Sequence, residues 1–170
     1  PETTVSGDFK GDNMPVSVEF NNVSLRYNDG AENALTDISF VANKGETIGI
    51  IGGTGSGKSS LIKLISGMYL PTEGEVLVKG CPTQNWDENT LCNTVSTVEQ
   101  KPFLFSGTVK TNLLWGNENA TDDDIMNALD TARATDFIKD KNDLNRVVEQ
   151  GGVNLSGGQK QRLAIARALL

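Results

Sequence analysis

Three features of this 170-residue chain predict an α/β fold. Apolar–polar alternation marks strands between Pro15 and Val41. A short apolar run then leads through the glycine-rich segment Gly52–Ser59 into a helical pattern, and the stretch from Gly107 to about Leu144 reads as mostly helical. The length suits about one domain, and the composition is that of an ordinary globular chain.

Residues 1–14 are polar and without periodicity, as a linker or tail would be. Val16–Phe20 alternates as a half-buried strand, and Val23–Tyr27 alternates again before the turn residues Asn28-Asp29-Gly30. Ile38–Val41 is a third strand. Thr47–Ile51 is nearly all apolar, which predicts a strand covered on both faces in a parallel sheet. Helical spacing resumes at Ser60–Ser66, with Gly67 as its stop. Glu75–Val78 is a strand set between Gly74 and Gly80. A polar stretch through Trp86 and Leu91 leads to a further alternating strand at Val95–Val98. Thr121 is suited to cap a helix whose first turn holds Asp122, Asp123 and Asp124, and Ile125, Met126 and Leu129 supply its apolar face. The acid run reads as a solvated first turn rather than a metal site.

Charge and cysteine usage narrow the function. A formal net charge of −7 disfavours nucleic acid as a partner, so any anion site must rest on backbone N–H groups and a few cations. Cys81 and Cys92 lack metal-ligand spacing and there is no histidine to join them, so they read as reduced thiols without a role. No apolar run approaches the roughly 20 residues of a membrane span, and no signal peptide is visible.

The segment Gly52-Gly53-Thr54-Gly55-Ser56-Gly57-Lys58-Ser59 follows a strand pattern and opens a helix, the context in which G-x-x-x-x-G-K-S binds phosphate. Gly52, Gly55 and Gly57 allow close backbone approach, so that successive N–H groups, with Thr54, Ser56 and Ser60 among the contacts, cradle a polyphosphate at the helix N-terminus. Lys58 would reach the terminal phosphates, and the Ser59 hydroxyl would take Mg²⁺. The plainer alternative is a glycine turn with an incidental lysine. Near the C-terminus, Leu155-Ser156-Gly157-Gly158-Gln159 offers Ser156 as a helix N-cap, and Gly157 and Gly158 leave first-turn N–H groups open to an anion. The alanine- and leucine-rich residues that follow favour a helix.

That second motif, continued through Lys160-Gln161-Arg162-Leu163-Ala164-Ile165-Ala166-Arg167, resembles the signature of ABC-type ATPases. The resemblance covers nearly all the chain from about Pro15. It implies a P-loop NTPase core with an N-terminal antiparallel β subdomain, together about residues 15–100, and a helical subdomain at about 107–170. Tyr27 matches the family's aromatic residue that stacks on adenine, although strand packing alone would also account for it. Gln100, within Val98-Glu99-Gln100-Lys101-Pro102-Phe103-Leu104-Phe105-Ser106-Gly107-Thr108, matches the glutamine loop, associated with Mg²⁺, with the attacking water and with the face toward a transmembrane domain. The wording there is similar to the exporter branch, and Glu149-Gln150-Gly151-Gly152 is similar to a segment that meets intracellular loops.

The resemblance implies a head-to-tail pair of cassettes, homo- or heterodimeric, at the cytoplasmic face of a membrane. ATP would lie between the phosphate loop of one cassette and Ser156, Gly157, Gly158 and Gln159 of the other. Three family elements have no match: the Walker B aspartate, the glutamate after it and the switch histidine. The fold is therefore expected to be incomplete at the C-terminus, binding Mg-ATP but hydrolysing it poorly. A soluble ABC ATPase acting on DNA or ribosomes and a non-catalytic ATP-binding module stand as alternatives. Asn43-Lys44-Gly45-Glu46 lacks the aspartate of a guanine-reading motif and precedes the phosphate loop, which disfavours a GTPase.

Overall fold

A computed structural model describes residues 14–28 and 32–170. Residues 1–13 of the predicted tail and the Asp29-Gly30 part of the first turn lie outside the described residues. The chain divides between Val95 and Ser96 into two compact units.

The first unit is built on a four-stranded antiparallel sheet of order β2-β1-β3-β4, with β1 Val16–Leu25, β2 Leu35–Asn43, β3 Glu73–Val78 and β4 Cys81–Pro82. The two strands expected before residue 28 are one. Val18 and Phe20 occupy even positions and Val23 and Leu25 odd ones, a change of parity that looks like a break in the sequence. A β-bulge absorbs the extra residue: from Phe20 to Val23 on β1, the partner β2 advances only from Phe40 to Ile38. Asn22 takes a left-handed φ of 48° at this point. Phe20, Val23 and Leu25 are thereby all buried, with Leu35, Leu61, Leu64 and Val76. Phe20 also stacks on Phe40 at 4.6 Å between ring centroids. Helix α1, Lys58–Ile65, starts two residues earlier than its apolar spacing suggests, because Gly57 at φ 86° is its N-cap. Gly67, at φ 71°, ends its last turn as expected.

Two expectations in the region of Thr47–Val98 are corrected. Thr47–Ile51 and Val95–Val98 are not strands: neither has a ladder partner among the described residues, and Ile51 is 99% exposed. Strand propensity alone cannot satisfy backbone N–H and C=O groups, so without a neighbouring strand the apolar pattern does not become a sheet. The stretch through Trp86 and Leu91 is more ordered than its polarity suggests. Asp87 caps helix α2, Glu88–Thr94, by accepting from the Thr90 N–H, and Leu91 is buried.

The second unit is mainly helical, with α3 Val109–Leu113, α4 Asp122–Thr131 and α5 Gly157–Leu169. Two short strands, β5 Gly107–Thr108 and β6 Val147–Val148, pair antiparallel. Its core joins Leu104, Leu113, Ile125, Leu129, Ile138 and Leu163, all at most 1% exposed. Thr121 caps α4 in a reciprocal box with Asp124, as the sequence predicts. The other two acids of that turn meet lysines, Asp122 with Lys110 at 2.6 Å and Asp123 with Lys141 at 2.7 Å. Among the described residues no helix is long and apolar enough to cross a membrane.

Candidate functional site

The glycine-rich loop bends because its residues leave it little choice. Gly55 and Gly57 sit at φ 82° and 86°, a region that side chains with a Cβ rarely adopt. At Gly57 a Cβ would lie 2.6 Å from Leu35 Cδ2 and 2.7 Å from the Ala34 carbonyl oxygen, so the loop is seated against the end of the sheet only as glycine. The Lys58 ammonium lies over the loop and donates to the Gly52 and Gly53 carbonyls at 2.7 and 2.6 Å and to Ser56 Oγ at 3.2 Å. Residues 52–56 and Ser59 are exposed, with Gly57 and Lys58 partly covered.

Around this loop the chain provides an exposed glycine turn, a cation at its centre, a serine hydroxyl on the first turn of α1 and an open approach beside Gly53 and Gly55. That donor set fits a polyphosphate with its divalent cation: N–H groups and ammonium for oxygens, hydroxyl for metal.

Tyr27, 39% exposed, stands beside the same helix. Its hydroxyl donates to Ser60 Oγ at 2.8 Å, which ties the predicted base-stacking ring to the residue following Lys58-Ser59. Sequence reasoning missed two neighbours. The Tyr69 ring meets Tyr27 edge to face at 5.0 Å, and Lys63 Nζ lies 5.7 Å from the Tyr27 ring centroid and 5.4 Å from that of Tyr69. The available signal was Gly67: a stop in left-handed conformation turns the chain back, and the Tyr69 N–H reaches the Lys63 carbonyl at 3.3 Å.

The remaining predicted residues belong to the second unit. Gln100 is exposed in a bend. Ser156 caps α5, its Oγ accepting from the Gln159 N–H at 3.2 Å while Gln159 Oε1 accepts from the Ser156 N–H at 3.0 Å. Gln159 is thus engaged in the cap. Gly157 and Gly158 have open space where a Cβ would stand. Leu155 is buried and Lys160 Nζ donates to the Gly151 carbonyl at 2.9 Å, fixing the turn ahead of the helix. Arg162 binds Asp136 at 2.9 Å and the Arg133 carbonyl at 2.8 Å.

Asn112 is a further residue that the sequence did not single out. Buried at 1% exposure, it accepts from the Phe105 N–H at 2.8 Å and donates to the Phe105 and Thr108 carbonyls, both at 2.9 Å. It holds the segment after Gln100 in place of regular structure. Arg167, whose pKa burial pushes down, donates to the Phe103 carbonyl at 3.1 Å. On the surface of the same segment, Phe103, Phe105 and Trp115 are exposed and in ring contact, Phe105 stacking on Trp115 at 4.8 Å.

A glycine loop that opens helix α1 with Lys58 and Ser59, joined in one chain to a glycine-opened, serine-capped helix, defines a P-loop nucleotide-binding cassette. The ABC transporter family model matches residues 35–170, and the chain belongs to that family. YfiB of Bacillus subtilis strain 168, an uncharacterized ABC transporter ATP-binding protein, is 45% identical over 160 residues, covering 94% of this chain and 28% of its own. YgaD of the same strain, whose given name is that of a candidate multidrug export ATP-binding/permease protein, is 41% identical over 162 residues, covering 95% and 28%. Among solved structures, a bacterial Atm1-family ABC exporter with ATP bound superposes with a TM-score of 0.84 at 33% identity, covering 91% of this chain and 27% of that one. The chain thus spans little more than a quarter of the length of these relatives. Membership of an ABC ATPase family implies ATP binding.

Proposed function

We propose that this chain is the ATP-binding cassette of an exporter and works as one half of a head-to-tail pair. The observation that carries the reading is the presence in one chain of two differently built glycine turns, each opening a helix. One is a loop centred on Lys58, and the other is a capped helix start with open space at Gly157 and Gly158. In the pair, ATP binds to Gly52–Ser60 of one cassette and meets Ser156, Gly157 and Gly158 of the partner. The γ-phosphate completes contacts to both, so nucleotide favours the closed pair through its differential affinity for that state.

Within the site, Gly52, Thr54, Gly55, Ser56, Gly57 and Ser60 hold the phosphates, and Lys58 exchanges its carbonyl partners for phosphate oxygens. Ser59 would hold Mg²⁺ through its hydroxyl, and Tyr27 would carry the base. ATP supplies the phosphoanhydride whose cleavage resets the closed state. The exporter assignment is supported by the names of the relatives and by the wording around Gln100. The exposed Phe103, Phe105 and Trp115 suit a transmembrane domain docked at the cytoplasmic side of a membrane. The net charge of −7 disfavours the DNA- or ribosome-acting alternative.

Two measurements test this. The 170-residue polypeptide should bind Mg-ATP and turn it over negligibly; steady turnover that Lys58→Ala abolishes would overturn the claim. In a transporter containing this cassette, Ser156→Arg should abolish ATP turnover, and unchanged turnover would remove the role given to the signature.

A further inference from the structure

We propose that Tyr69 is a positioning residue for the nucleobase: it fixes the ring of Tyr27 in the orientation on which the base stacks. The inference rests on the reading of Tyr27 as the base platform.

A tyrosine near a strand end, 39% exposed, would ordinarily sample several χ1 and χ2 wells. Three contacts restrict this one. At its far end the hydroxyl donates to Ser60 Oγ at 2.8 Å, and Ser60 is itself 6% exposed, so the acceptor is fixed within α1. At its side the Tyr69 ring meets it at 90° and 5.0 Å, the edge-to-face geometry favoured by ring quadrupoles. Lys63 lies within cation–π reach of both rings and links them electrostatically. One hydroxyl contact fixes the position of the ring tip but leaves rotation about the ring axis free. The perpendicular ring of Tyr69 is the contact that restrains that rotation.

Tyr69 owes its place to the phosphate-loop helix. Gly67, at φ 71°, reverses the chain after α1, and the Tyr69 N–H then donates to the Lys63 carbonyl at 3.3 Å. Tyr27, Ser60, Lys63 and Tyr69 are therefore all referenced to α1, the element that begins with Lys58. A helix that carries the phosphate contacts at its start also sets the angle of the base platform. Preorganisation of this kind raises affinity by removing the ordering cost of the ring at the moment of binding.

The test compares Mg-ATP with Mg-tripolyphosphate, which shares the phosphate chain and lacks the base, by calorimetric titration of the 170-residue chain. Tyr69→Ala should weaken Mg-ATP about three- to tenfold, the worth of an aromatic edge contact, and leave tripolyphosphate within about twofold. Tyr69→Phe, which keeps the ring and loses only the hydroxyl, should bind Mg-ATP as the parent does. Equal weakening of both ligands by Tyr69→Ala would make Tyr69 a residue of the fold only, and unchanged ATP binding would remove its role; either result overturns the inference. Tyr27→Ala separates the two readings. If it lowers ATP binding selectively while Tyr69→Ala does not, only the positioning role fails. If Tyr27→Ala leaves the ratio of the two ligands unchanged, the base platform itself is wrong and the inference goes with it.

Discussion

Ser156 and Gln159 exchange hydrogen bonds across the first turn of α5, the serine Oγ accepting from one N–H and the glutamine Oε1 from the other. This box satisfies two of the donors that a helix start leaves open and holds Gly157 and Gly158 in helical conformation without any side chain of their own. The turn at Leu155–Gln159 is therefore a helix start held by its own side chains. Ser156→Ala should lower stability by about 1 kcal/mol, the usual worth of such a cap, whereas Ser156→Asp should retain most of it. Urea denaturation of the two variants checks this; equal losses would remove the cap as the source of the stability.

The glycines of the two motifs should respond in opposite directions. Gly57→Ala forces a left-handed residue and drives its Cβ against Leu35 and the Ala34 carbonyl. The strain alone costs about 1–3 kcal/mol. Gly158→Ala meets open space inside a helix and should stabilise the fold by up to about 1 kcal/mol. Thermal melts of the pair of variants decide the point, and a stable Gly57→Ala protein would contradict the packing described for the loop.

Asn112 replaces regular structure for the segment that follows Gln100. Asn112→Ala leaves the Phe105 N–H and the Phe105 and Thr108 carbonyls without their side-chain partner. The cost should be about 1–3 kcal/mol, with the amide of Phe105 exchanging with deuterium faster than those of the α4 core. Unchanged exchange at Phe105 would show that the segment is held by other contacts.

Acid should unfold the chain partly through α4. The Thr121 side chain first, and its backbone N–H second, hold the Asp124 carboxyl below its ordinary value. Because the folded value is depressed, the bonded carboxylate stabilises the fold above the unfolded pKa of about 4, and that contribution is lost as pH falls through the folded value. Thr121→Val removes the larger of the two causes. Its urea midpoint should fall less steeply than that of the parent between about pH 5 and about pH 2, and an unchanged slope would assign the acid limb to other carboxylates.

Much of the site was legible in local sequence. Lys58 and Ser59 open a helix behind glycines, Thr121 precedes three acids, and Ser156 stands three residues before Gln159. Each is a short-range arrangement set by backbone chemistry within one turn. The bulge in β1 was hidden, because a change of alternation at Asn21-Asn22 has the same appearance as a strand end. Tyr69 and Asn112 were hidden for another reason: their partners, Tyr27 at 42 positions' remove and the Phe105–Thr108 backbone, come within reach only after the chain has turned.

The sequence by itself determined the family, the glycine loop that opens α1 and the capped start of α5, since these depend on residue type at fixed short spacing. Only tertiary structure decided that Thr47–Ile51 and Val95–Val98 have no ladder partner among the described residues. A strand exists through its neighbour's hydrogen bonds, which no pattern within the segment encodes. Tertiary structure likewise decided that Tyr27 is set by Ser60 and Tyr69, because the direction of a ring depends on what packs beside it.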